Sequence, residues 1–276
     1  MTCHDILACD VTDDNHEMAN LQAIQKLAKQ ALDTFRSVNG DKNVFLDKLS
    51  SLRASMNRIR AADLGIDDAV AAGRDHQPWS APVGYMFVAE NPLVSMGVFV
   101  VQRGCRLPLH DHRSMHGVIK VLTGTVRMRS YDLLTEEQRE TIKLPDLSGF
   151  SASSAGSTDP HDLDSAVQQL ARTLHPVRPR AELELTPDSE PCVLGPLEGN
   201  VHSIESVGGP AAFLDILSPP YDPEVGRDCV YYKETKFTDS EESVGDVRWL
   251  RRIPQPASFW CSQEDYLGPP VDLDSL

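Results

Sequence analysis

Apolar residues fall at helical spacing early in the chain and switch to short β-type runs after about residue 83. Between residues 20 and 35, Leu21, Ile24, Leu27, Leu32 and Phe35 recur on one face, which predicts an amphipathic helix. Asn39-Gly40 ends it. Phe45, Leu49, Leu52, Met56 and Ile59 predict a second helix that stops near Gly65. Together they form an N-terminal helical module over residues 19–66, expected to pack outside the main domain. Residues 1–18 are expected to be a disordered tail.

From Val83 onward the runs are short and rich in β-branched residues. They lie at 84–88, 94–102, 117–122, 124–131, 181–185, 201–206 and 211–217, punctuated by Gly and Pro. Many short strands with such punctuation predict a sandwich or small barrel over residues 80–276. A stretch at about 147–165, rich in Ser, Gly, Ala and Asp, has little to bury and is expected to be a mobile surface insertion. No internal repeat interrupts this pattern.

Composition narrows the class. The chain has 276 residues, 41% hydrophobic and 24% charged, which is ordinary for a globular protein. No apolar run reaches the roughly 20 residues needed to span a bilayer. The first residues are acidic and lack a signal-peptide core, so the expected location is the cytosol, with the nucleus open. A net charge of −15 disfavours nucleic acid as a partner. The six cysteines are scattered without a CxxC pair and are expected to be reduced thiols.

The chemistry concentrates in Gly104-Cys105-Arg106-Leu107-Pro108-Leu109-His110-Asp111-His112. On a strand, residues two apart share a face, so His110 and His112 point together. Their spacing alone is equally compatible with two polar barrel residues. His202, at the start of another apolar strand, strengthens the metal reading. These ligand types alone allow zinc, nickel, manganese or iron. His116 has the same strand parity, but a bulge or a supporting hydrogen bond is a commoner role than a fourth ligand. Asp215 interrupts an otherwise apolar strand, Ala211-Ala212-Phe213-Leu214-Asp215-Ile216-Leu217. It is either on a solvated face or an acid inside the barrel, and burial without a partner would be costly. Tyr221 follows Pro219-Pro220 and is either a rim-packing ring or a phenol at the barrel mouth. Cys229 and Tyr231, two apart, would share a strand face.

Several motifs carry a family resemblance. Gly104, His110-Asp111-His112 and Gly124 resemble the first cupin motif, and Gly199-x-x-His202 the end of the second. The glutamate that cupins usually supply after the second His is missing, since His116-Gly117 stands there. Longer segments, including Pro108-Leu109-His110-Asp111-His112, Gly209-Pro210-Ala211-Ala212-Phe213-Leu214-Asp215, Pro219-Pro220-Tyr221-Asp222-Pro223 and Gly226-Arg227-Asp228-Cys229, resemble the cysteamine dioxygenase and plant cysteine oxidase family. Phe259-Trp260-Cys261 near the C-terminus fits too.

The resemblance implies a mainly β cupin, a double-stranded β-helix with the two N-terminal helices outside. It implies non-haem Fe(II) held by His110, His112 and His202, with O2 as cosubstrate. Asp215 and Tyr221 would meet substrate or oxygen, and Cys229 and Tyr231 would form the thioether crosslink of animal members. The implied substrates are cysteamine, giving hypotaurine, and proteins with an N-terminal cysteine. Oxidation of the latter serves oxygen sensing through the arginine N-degron pathway. No nucleic acid or membrane partner is expected, and the chain should be a monomer. Two alternatives stand beside this reading: a non-catalytic ligand-binding cupin, and a free-cysteine dioxygenase, which needs a cation such as Arg106, Arg113 or Arg227 for the substrate carboxylate.

Overall fold

The structure, a computed structural model, describes residues 11–66, 81–143, 173–235 and 247–276, with side chains from residue 20 onward. Helix α1 (Val11–Phe35) buries Ile24, Leu27, Ala28, Ala31, Leu32 and Phe35 along one stripe. It starts inside the stretch expected to be tail. Helix α2 (Lys42–Met56) begins at Asp41, whose carboxylate accepts from the Asn43 and Val44 amides, and buries Phe45, Leu49, Leu52 and Met56. A 3-10 turn, Ala61–Leu64, follows, and Gly65 closes it in the left-handed conformation with φ 66°. The Ser-rich stretch at 147–165 lies outside the described residues.

Two antiparallel sheets carry the rest, with strands numbered in chain order. The first runs β13 (Cys261–Glu264), β1 (Val83–Glu90), β2 (Ser95–Val101), β10 (Ala211–Ser218), β4 (His116–Thr123) and β8 (Cys192–Leu194), with only β13 joined in parallel among the described pairings. The second runs β6 (Leu174–Pro179), β12 (Arg248–Ile253), β11 (Tyr231–Thr235), β3 (Arg106–His110), β9 (Val201–Ser206), β5 (Val126–Leu133) and β7 (Leu183–Leu185). A further pairing of β5 with β6 closes six of these strands into a ring. The chain alternates between the sheets over β2–β5 and again over β8–β11. That winding is the double-stranded β-helix expected from the sequence.

The layers explain the hydrophobic pattern. One core lies between the helices and the outer face of the first sheet, joining Leu27, Leu52, Met96, Val98, Leu214 and Ile216. A second lies between the sheets, joining Leu107, Ile119, Met128, Ile204 and Phe213. Covered on both faces, β10 is buried at all eight positions. Apart from Asp215 and the terminal Ser218, its sequence is therefore apolar without alternation. Buried Lys120, 1% exposed, ties the layers together. Its Nζ donates to Asn57 Oδ1 at 3.0 Å beyond α2 and to the carbonyls of Pro187 and Ser189.

Three local readings need correction. Strand β3 ends at His110, so His112 lies past it and strand parity does not align the pair. A register shift between Leu107 and His110 lets both face the first sheet, three positions apart. The run expected at 124–131 starts at Val126, because Gly124, at φ 70°, is the turn. Cys229 precedes β11 and is not on a strand with Tyr231.

Candidate metal centre

His110 and His202 face each other across the β3–β9 pair, and Tyr231 pairs with His110 from the other side. His112, in the loop after β3, closes over them. The ligand atoms of the three rings lie within 4.8 Å of one another, and all three residues are buried. His112 Nε2 and His202 Nε2 stand 3.4 Å apart. Burial holds all three imidazoles below their usual pKa, and the neighbouring imidazoles lower His112 and His202 further. Neutral rings are the ligating form.

The surroundings set the tautomers. A carbonyl can only accept, so the 2.8 Å contact of His110 Nδ1 with Pro108 O places the proton on Nδ1. Tyr221 donates its single proton to Asp111 O at 2.8 Å, so its oxygen accepts from His112 Nδ1 at 2.9 Å. Both rings therefore turn an unprotonated Nε2 inward. With the buried His202 ring beside them, they make a three-imidazole set that fits a divalent transition metal. The described residues offer no carboxylate to this cluster.

Two residues not singled out in the sequence hold this geometry. Asn200, fully buried two positions before His202, accepts from His112 N at 3.2 Å and donates to His112 O at 2.7 Å and Gly195 O at 2.9 Å. It clamps the backbone of one ligand to the strand of another. Asp111 receives Val230 N at 3.1 Å and the Tyr232 hydroxyl at 2.9 Å, fixing the approach to β11. The signals were faint: an Asp between two ligands, and an Asn after the glycine turn that opens β9.

Two of the other site candidates, Asp215 and Tyr221, line a cleft of about 350 Å³ together with Tyr85, Ser95, Glu90 and Cys261. Asp215 projects from β10 opposite Gly97 and is 7% exposed. Its Oδ1 has no partner among the described residues, and burial pushes its carboxyl up to about 7. The absence of a side chain at Gly97 leaves room for the Tyr85 ring above it. Cys229 sits between the Tyr221 and Tyr231 hydroxyls, and burial raises its thiol to about 11. A second cleft, about 420 Å³, reaches His202 between Ile119, Met128, Leu185 and Leu194. His116 is not part of the histidine cluster; its ring lies against Phe35 and Phe45 of the helices.

A double-stranded β-helix with a buried metal-ligand set at its centre defines a cupin. The PCO_ADO family model matches residues 55–271, and the chain belongs to that family. It is 39% identical to 2-aminoethanethiol dioxygenase of Mus musculus and 37% identical to that of Homo sapiens, covering 92% of this chain and 97% of each relative. Plant cysteine oxidase 2 of Arabidopsis thaliana is 24% identical over 82% of this chain and 74% of its own length. The chain is thus an enzyme of the dioxygenase class. Among the described residues no helix is long and apolar enough to cross a membrane.

Proposed function

We propose that this enzyme is a non-haem Fe(II) thiol dioxygenase whose substrates are cysteamine and the N-terminal cysteines of peptides and proteins. The products are hypotaurine and cysteine sulfinic acid, the latter feeding the arginine N-degron pathway in response to oxygen. The observation that carries this reading is an all-histidine cluster joined through Tyr221, which bonds His112, to a cleft that holds an unpartnered buried carboxylate. When bound, iron supplies the positive charge that favours a thiolate and the redox capacity that dioxygen requires. A thiol supplies its own electrons, so no organic cosubstrate is called for.

The chain's residues do the rest. His110, His112 and His202 hold the metal, and Tyr221 fixes the His112 ring while facing the cleft. Asp215 receives the substrate ammonium, an amine two carbons from the thiol, which gives its unpaired oxygen a partner. The resemblance to the curated relatives supports the same substrate class.

A free-cysteine dioxygenase fits less well. Arg227 is occupied by Pro220 O and Asp222, and in the second cleft Arg53 and Arg180 are bound to Pro191 O and Asp132. Among its described lining residues the Asp215 cleft has no Lys or Arg. Oxygen uptake by the iron-loaded protein tests the reading. Cysteamine and a Cys-initiating peptide should drive uptake, and free cysteine should do so poorly. Efficient uptake with free cysteine alone would favour the rival.

A further inference from the structure

The two charged groups that line the Asp215 cleft are both carboxylates. Asp215 is deep and lacks a partner for Oδ1, whereas Glu90 is exposed at the end of β1. Strand registers fix their relation. Asp215 pairs with Gly97 of β2, while Glu90 pairs with Ser95, which pairs in turn with Leu217 of β10. Leu217, Ser95 and Glu90 therefore form one row across the cleft wall, and Asp215 lies on the row two residues deeper. Glu90 stands two strands over and two residues up, about 12 Å between α-carbons by standard strand spacings. Among the described residues no Lys or Arg pairs with Glu90 or lines the cleft.

A four-atom aminothiol with its ammonium on Asp215 does not span that distance. A longer substrate does. The second α-carbon of a peptide lies about 3.8 Å from the first, and a long cationic side chain covers the remainder to the rim. We propose that Glu90 is a cation subsite that selects N-terminal-cysteine peptides whose second residue is Lys or Arg. This rests on the reading that Asp215 takes the α-ammonium of the cysteine. Asp215 serves the group common to all substrates, and Glu90 discriminates among those that are peptides.

The test uses the iron-loaded full chain with three peptides identical except for Lys, Ala or Glu after the N-terminal cysteine. The ratio of KM values between the Glu and Lys peptides is measured within each variant, so any loss of folded protein cancels. A partly exposed ion pair predicts a ratio of about threefold to fivefold at low ionic strength, falling with added salt. Glu90→Gln should bring the ratio near one, and Glu90→Lys should invert it. Equal KM values in the native protein, or a Lys preference that survives Glu90→Gln, would overturn the subsite and leave the dioxygenase reading intact. Oxidation of cysteamine with no oxidation of any peptide would overturn both the subsite and the peptide reading.

Discussion

His110 and His112 are held ready for metal by oxygen atoms from the chain beside them, the Pro108 carbonyl and the Tyr221 hydroxyl. With three ligands there is no redundancy. Replacing any one of His110, His112 or His202 by Ala should remove most bound iron, measured by metal analysis after desalting, and nearly all turnover. Asp215 answers to a different test. Asp215→Asn keeps shape and removes charge, so it should retain iron and lose most activity; near-native activity would exclude contact with the substrate. Its stability effect has a defined sign. The folded carboxyl titrates at about 7, above its ordinary 3.8. Its contribution is thus fully present below about pH 4 and is lost as pH rises through 7. The metal-free Asn variant should match the native protein near pH 4 and exceed it above pH 7, by at most about 4 kcal/mol, in urea unfolding. The histidines and Asp215 were legible because each is a polar residue in an apolar setting. Asn200 and Asp111 were not, because they act through backbone groups that no sequence pattern displays.

Individual elements reach the site by routes that periodicity does not reveal. The bulge in β3 and the loop beyond it, not strand parity, bring His110 and His112 together. Asn200 fastens that loop to β9. Asn200→Asp keeps the acceptor but loses both N–H donors, so iron affinity should fall about tenfold to a hundredfold by competition with a chelator. Unchanged affinity would reduce the clamp to a packing feature. The turn before β11 places Cys229 beside the Tyr231 hydroxyl, although the two do not share a strand. Their oxidative joining, with dioxygen as acceptor of the two hydrogens lost, should lower the intact mass by that amount during turnover. Cys229→Ala should abolish the shift and reduce activity only modestly. Strands β6, β8, β12 and β13 escaped the sequence reading: β8 and β13 are four residues or fewer, β6 holds two prolines, and Arg248–Ile253 carries three arginines. Such strands have too few apolar positions to register as a pattern.

At the scale of the molecule, the helices cover the outer face of one sheet and the second sheet carries two of the ligands, so the cluster sits between covered layers. The fold class was readable because the helical and β-type patterns occupy separate parts of the chain. The closure of six strands into a ring was not, since it depends on β5 meeting β6 at a distance no local signal encodes. The helical layer and the Lys120 tie give the first sheet a partner layer within one chain. The central claim is that this cluster inserts both atoms of dioxygen into a thiol. The most direct measurement is mass spectrometry of cysteamine oxidised by the iron-loaded protein under isotopically heavy dioxygen. The account predicts hypotaurine carrying two heavy oxygen atoms and no such product from His202→Ala. A product with one heavy atom, a disulfide alone, or equal yield from His202→Ala would contradict it.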